Sequence, residues 1–468
     1  MEAHAGCDVW SEREFGSAQL GDVRRTGRLV AAGAQAAATP HGRLTVAFED
    51  AAARQGAYKL LEGGHAPPEA LVASAARAAW ARATGDITYV PLDGSALCVQ
   101  QASLQRGFGP VGTRAQPVWG AQSMNAVALE ESGVPLGLVG HLTWVRPECP
   151  RPAGTRTDVL PLQRKETRYW LQVAHQVVEG WRASGYRGTP WLLLDAGGDA
   201  REVLQGLVWS SAGAHFTVRC GQDRRCSWPL EGRLREVADA LPARGYFRLP
   251  VPASESRTAR RARMAVRFCS VVLPLCCPRT GRPQPVELLL VHAREEGTCP
   301  RAEAPLDWML LTNAPVGSLR EARRVVRGYA LRWRVEEVHR SWKTGCQVER
   351  SGLTYGPFSS WAALLLCVAV RIERLKRLSR ERPEAPADAE FSPHELQALL
   401  LLKKKGAQYT ARYVPTLGEA VLWLAELGGY TGKSSGGPPG ATTLKRGLDK
   451  LEIAAEALRF QQELSRSD

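Results

Sequence analysis

The sequence predicts an α/β core with helical segments on either side, and three observations carry that expectation. Residues 86–145 are dense in strand formers, beginning with Ile87-Thr-Tyr-Val-Pro-Leu-Asp93-Gly-Ser-Ala-Leu-Cys-Val. Residues 162–184 switch to helical spacing, with Leu162, Trp170, Leu171, Ala174, Val177 and Val178 among the apolar positions. Trp191-Leu-Leu-Leu-Asp195 is then a short apolar run ending in a carboxylate, and Gly197-Gly198 separates it from a helix near 201–208. Strands, helix, buried strand, helix is the layer order of an α/β fold.

Taken in order, the first seventy residues read as short helices. Asp22 is placed to cap a helix through Arg24, Arg25, Arg28 and Leu29 to Ala38, where Thr39-Pro40 stops it. A second helix is expected from about Phe48 through Tyr58, ending at Gly63-Gly64. Three arginines in two turns suit contact with a nucleic-acid backbone, and equally suit a solvated basic face. Strands follow Ile87 at about 117–129 and 134–145.

Between Asp195 and Glu336 lie 140 residues, far more than one crossover needs. Expected strands at 215–220, 264–275, 286–292 and 308–312 make this a β insertion within the core, at about 211–312. Arg257, Arg260, Arg261, Arg263 and Arg267 cluster there, and alternate strand residues share a face, which would aim part of the set at a phosphate backbone. A long apolar helix at 361–378 leads into a Pro-, Glu- and Ala-rich linker at 382–390. Helices near 392–403, 415–427 and 442–463 form a last module, with Lys403-Lys404-Lys405 and a Gly/Pro loop at 434–440. The expected domains are therefore 1–70, 71–380 and 381–468.

A chain of 468 residues fits about three domains, and 61 Lys and Arg against 47 Asp and Glu give a net charge of +14. That balance attracts polyanions, so nucleic acid is the natural partner. The start holds Glu2, His4 and Asp8 rather than a basic then apolar stretch, and no run of eighteen apolar residues occurs, so the expectation is a cytoplasmic protein with no membrane contact. Eleven scattered cysteines without Cys-x-x-Cys or His-Glu-x-x-His indicate neither a disulfide framework nor a zinc site. Gly107-Phe-Gly109-Pro-Val-Gly112 matches a dinucleotide fingerprint in letters only, because Pro110 sits inside it and no helix opening follows. Gly432-Lys433-Ser434 lacks the glycine that a phosphate-binding loop needs five residues earlier.

The chemistry concentrates in Tyr329-Ala-Leu-Arg332-Trp-Arg-Val-Glu336-Glu337-Val-His-Arg-Ser-Trp-Lys343. On one continuous helix Tyr329, Arg332, Glu336 and Lys343 would fall within an arc of roughly 60°, and Glu337 roughly 80° the other way. A carboxylate flanked by two cations and a phenol can hold a metal while its neighbours grip phosphate oxygens. Asp93 could lie beside Asp195 if their strands are neighbours, and Glu336 could arrive from a helix packed on the sheet.

The spacing Tyr-x2-Arg-x3-Glu-x6-Lys resembles the signature of bacterial cut-and-paste transposases of the insertion-sequence-four, or Tn5, type. Trp10-x4-Phe15-x4-Leu20-Gly21-Asp22-x-Arg24-Arg25-x2-Arg28-Leu29 and Gln55-Gly56-Ala57-Tyr58 resemble the end-recognition domain of that family, and 414–429 and 439–458 its subunit-pairing region. The resemblance implies a ribonuclease-H-like catalytic core in which Asp93, Asp195 and Glu336 hold two Mg²⁺ ions, with Mn²⁺ able to substitute. It implies that Tyr329, Arg332 and Lys343 position phosphate, that Arg24, Arg25 and Arg28 bind double-stranded element ends, and that Arg260 and Arg263 contact DNA. Trp308 matches the place where the family stacks a flipped base. The implied activity is strand cleavage, hairpin formation and strand transfer into target DNA by a homodimer in a synaptic complex beside the bacterial nucleoid. A catalytically silent DNA-binding descendant and a metal-dependent nuclease are the alternatives. The chain departs from the family in Asp195-Ala-Gly-Gly-Asp199, where Asp-Arg-Glu-Ala-Asp is usual, and in Gly94-Ser95, where threonines are favoured.

Overall fold

The computed structural model describes residues 9–112, 118–147, 162–211, 213–229, 231–253, 257–277, 281–297, 299–300, 303–403, 413–432 and 437–467. Lys404, Lys405 and the first part of the Gly/Pro loop, 434–436, lie outside them.

Besides a single helical turn at Leu44–Ala47, the described residues open with α1 (Val9–Phe15), α2 (Val23–Ala38), α3 (Ala51–Glu62) and α4 (Pro68–Ala81). Asp22 caps α2 by accepting from the Arg24 amide at 2.8 Å. The second expected helix starts at Ala51 rather than Phe48, because Asp50 is its N-cap and accepts from the Ala53 amide, leaving Phe48 extended.

A twisted mixed sheet follows. Its first half contains β1 (Ile87–Cys98), β2 (Trp119–Leu129), β3 (Pro135–Trp144), β4 (Thr189–Leu194) and β5 (His215–Arg219). Spatially these run β3-β2-β1-β4-β5. The pairs of β2 with β1 and β3 are antiparallel, whereas β1–β4 and β4–β5 are parallel. That order and sense are those of a ribonuclease-H-like core. Helix α5 (Arg168–Ser184) supplies the crossover before β4 and α6 (Arg201–Ser210) the one after it. The expected helical span from 162 begins as a 3₁₀ turn, Leu162–Arg164, and becomes α-helix only at Arg168.

His215–Arg219, expected as the first strand of the insertion, pairs in parallel with β4 and so completes the core. The additional strands β6 (Gly245–Val251), β7 (Arg260–Cys276), β8 (Pro283–Glu295) and β9 (Asp307–Thr312) extend the same sheet as an antiparallel run, with β9 against β5.

After β9 come α7 (Leu319–Ala330), α8 (Trp333–Arg340) and α9 (Tyr355–Glu381), then α10 (Pro393–Leu402), α11 (Leu417–Leu427) and α12 (Ala441–Ser467). Helix α9 is long and apolar enough by composition to cross a membrane, but 83% of its most apolar window is buried inside the fold. Its side chains join α1–α3, α8 and α10–α12 in one continuous core on one face of the sheet, while α5 and α6 cover the other. Burial on both faces explains why β4 reads as an unbroken apolar run.

Candidate active site

The last β1–β4 pair is Pro91 with Leu193, and continuing that register sets Asp195, the first residue past β4, level with Asp93. Asp195 accepts from the Gly197 amide at 2.7 Å and so caps the turn Ala196–Gly198. Asp93 is buried on β1.

Glu336 reaches the same place from α8, which packs across β1 and β2. The single straight helix read from the sequence is corrected here. The helix ends at Ala330, restarts at Trp333 and passes into a π-turn at Ser341–Gly345, so Tyr329, Arg332, Glu336 and Lys343 sit on three segments. Arg332, Glu336 and Lys343 nonetheless all reach β1, Arg332 and Lys343 by direct bonds to Asp93 and Ala96. Arg332 Nη1 is 2.8 Å from Asp93 Oδ2 and 4.0 Å from Glu336 Oε1. Lys343 Nζ donates to the Ala96 carbonyl of β1 at 2.6 Å. Tyr329 is buried, with its ring edge-on to Trp308 at 5.1 Å. Glu337 points elsewhere, accepting from Arg334 at 3.0 Å and Arg377 at 2.7 Å.

Ligand atoms of Asp93, Glu336 and His339 all lie within 4.8 Å of one another. Asp195 is not in that group, although its charge acts on Asp93, Tyr329 and Arg332. Burial pushes the Asp93 carboxyl up to about 7; Arg332 opposes the rise, and the carboxylates of Glu336 and Asp195 add to it. Crowded carboxylates with one guanidinium between them are an oxygen-rich, electron-rich cluster that a hard divalent cation fits. Burial lowers His339 to about 3, so its ring is neutral.

Asp199 is not part of this cluster. It is fully enclosed, taking the Gly221 and Gln222 amides at 2.8 and 2.9 Å and the Arg224 guanidinium at 2.8 Å, which ties the end of β4 to the loop after β5. Trp308, near the start of β9, is half-buried and packs against the core with its ring edge-on to Tyr329.

Among the basic residues, Arg24 and Arg28 are exposed, whereas Arg25 is half-buried and donates to the Leu20 carbonyl at 3.3 Å. Arg260 is corrected as a DNA contact: Glu295 at 2.8 Å and Glu303 take up its guanidinium on the inner side of β7. Three residues along, Arg263 faces the opposite way, exposed and stacked over Tyr246 at 4.2 Å. Asn125, His141 and His339, buried beside the carboxylates, carried no motif in the sequence. The available signal was Gln122, Ser123 and Asn125 inside an otherwise buried apolar strand, since buried polar groups need partners.

Among solved structures, the chain is similar to a chain of a piggyBac transposase synaptic complex with hairpin DNA, at 12% identity and a TM-score of 0.31. The match covers 64% of this chain and 49%, about half, of that one. The transposase DNA-binding family model matches residues 8–65, and the Tn5 transposase dimerisation-domain model matches residues 367–468, beginning inside α9. The chain therefore carries, on either side of a ribonuclease-H-like sheet, terminal modules similar to the DNA-binding and dimerisation modules of Tn5-type transposases.

Proposed function

We propose that the protein is a DNA transposase that binds the ends of its own element as a dimer, then cuts and transfers them with divalent metal held by Asp93, Asp195 and Glu336. On this reading residues 1–70 recognise the end, 71–380 carry the chemistry and 381–468 pair the subunits. The observation that carries the proposal is the meeting of Asp93 and Glu336, 243 residues apart in sequence, with Arg332 between them and Asp195 level in register. Divalent metal held by these carboxylates, Mg²⁺ or Mn²⁺, would supply activation of a water or a 3′-hydroxyl and stabilisation of the departing oxygen.

The protein's own groups supply position. Arg332 is set to exchange its carboxylate partner for a non-bridging phosphate oxygen, and Lys343 and Tyr329 border the same space. In each step one P–O bond breaks and one forms. Water first nicks the strand to leave a 3′-hydroxyl. That hydroxyl attacks the opposite strand to give a hairpin, water reopens the hairpin, and the regenerated 3′-hydroxyl attacks target DNA.

The experiment is incubation of the protein with linear DNA carrying the sequences that flank its gene. Nicks at two fixed ends, then hairpins and joined products, are expected with Mg²⁺ and are absent with EDTA. Specific binding without cutting would favour a silent descendant, and cutting without joining a metal-dependent nuclease.

Two finer roles have their own readouts. Arg24→Ala with Arg28→Ala is expected to flatten the plot of log affinity against log salt by about two phosphate contacts, while Arg25→Ala alone changes it less. An unchanged slope in the double variant returns both to a solvated face. Trp308→Ala is expected to slow hairpin formation about tenfold while sparing the first nick, because base–aromatic stacking contributes roughly 1–3 kcal/mol. An abasic site at the extruded position should partly restore the rate; equal loss of both steps makes Trp308 a packing residue.

A further inference from the structure

Three buried polar residues form a row beside the carboxylates. The register places His141 opposite Asn125 on β3–β2, and Asn125 opposite Asp93 on β2–β1. His141 Nδ1 is 2.6 Å from Asn125 Oδ1, and Asn125 Nδ2 is 2.8 Å from His339 Nε2. His339 Nδ1 then faces Glu336 Oε2 from 4.0 Å.

The direction of this chain is fixed by its surroundings. Ser123 Oγ gives its hydrogen to the Ser95 carbonyl at 3.0 Å, so the Asn125 atom 3.3 Å from that oxygen must be a donor, the Nδ2 amide. The reverse amide orientation would also make His141 protonated at Nε2, an atom that is buried and meets no acceptor among the described residues. Asn125 Nδ2 therefore donates to His339 Nε2, which must accept through its lone pair. A neutral imidazole accepting at Nε2 carries its hydrogen on Nδ1.

We propose that His339 is a positioning residue for Glu336 and not a metal ligand: its Nδ1–H faces the carboxylate, and its only lone pair is engaged by Asn125. A separation of 4.0 Å is too long for a hydrogen bond, as is common for such contacts before substrate binds. Donation to one oxygen of Glu336 would hold the carboxylate plane with the other oxygen toward Asp93. This inference rests on the reading of Glu336 as a site carboxylate, but the tautomer at its centre does not.

Nitrogen-15 NMR of the histidine-labelled, metal-free protein tests the tautomer, with the His339 signals identified by their absence in His339→Asn. Protonated Nδ1 and bare Nε2 are expected; a ring protonated at Nε2 overturns the proposal. Function is then read by Mn²⁺ titration followed by electron paramagnetic resonance. His339→Asn keeps an amide donor near the Nδ1 position, whereas His339→Gln places its amide near Nε2, where the oxygen can accept from Asn125, and loses the donor to Glu336. Mn²⁺ affinity is expected to fall about 10–100-fold in the Gln variant and less than about threefold in the Asn variant. Equal losses, or none in either, contradict a positioning role. Asp93→Asn in the same titration judges the metal reading separately: if it binds Mn²⁺ like the parent, that reading fails whatever the tautomer.

Discussion

Replacing Asp93 or Glu336 with alanine should reduce Mg²⁺-dependent strand cleavage by about 10³-fold or more, equivalent to about 4 kcal/mol of lost transition-state stabilisation. Binding to element ends should persist, because the exposed arginines of α2 lie on a separate helix. Asp195→Ala should behave alike, and the register that sets it level with Asp93 is the reason. Glu337→Ala should do the opposite. That carboxylate bridges Arg334 and Arg377, so its loss should lower stability by about 2 kcal/mol while sparing cleavage. Gel assays of nicking and urea unfolding midpoints distinguish the two classes. Cleavage that survives Glu336→Ala and disappears in Glu337→Ala would show that the wrong carboxylate has been placed in the site.

The second large effect concerns stability at the junction of the terminal modules. Arg371 of α9 is buried, with its guanidinium 3.1 Å from the buried Glu395 of α10 and 5.0 Å from the ring of Trp10 in α1. Removing the cation leaves the buried Glu395 carboxylate without that neutralising charge, so Arg371→Met should cost about 3–5 kcal/mol. Adding Glu395→Gln should recover a large part of that cost, since the stranded carboxylate is then neutral. Urea unfolding of the single and double variants measures both. A single variant as stable as the parent would mean that α9 and α10 are not docked through this pair.

Much of this architecture was legible in the sequence because local rules and tertiary demands agree. Asp22 caps α2 where the Asp-then-helix pattern placed it, and the apolar β4 run ends at Asp195, which the continued register sets level with Asp93. What was not legible depends on contacts distant in sequence. From Tyr329 to Lys343 the periodicity reads as one straight helix, yet the chain breaks at Leu331–Arg332 and widens at Ser341–Gly345, where it packs on α9 and α12. Within α8 the helical angle holds, so Glu336 and Glu337 diverge as the periodicity expects, Glu336 toward Arg332 and Glu337 toward Arg334 and Arg377. Arg260 looked like one of a cationic set because Glu295 and Glu303, which neutralise it, lie 35 and 43 residues away. Asn125 was invisible for the same reason: its partners come from β3 and α8.

The central claim is that Asp93, Asp195 and Glu336 together hold the metal that cuts DNA. Anomalous diffraction from crystals soaked in Mn²⁺ tests it most directly. Manganese peaks bounded by those three carboxylates are expected, with His339 outside the coordination sphere. Manganese bound elsewhere, or no peak beside Asp93 while the ion pair of Asp93 with Arg332 persists, would contradict it.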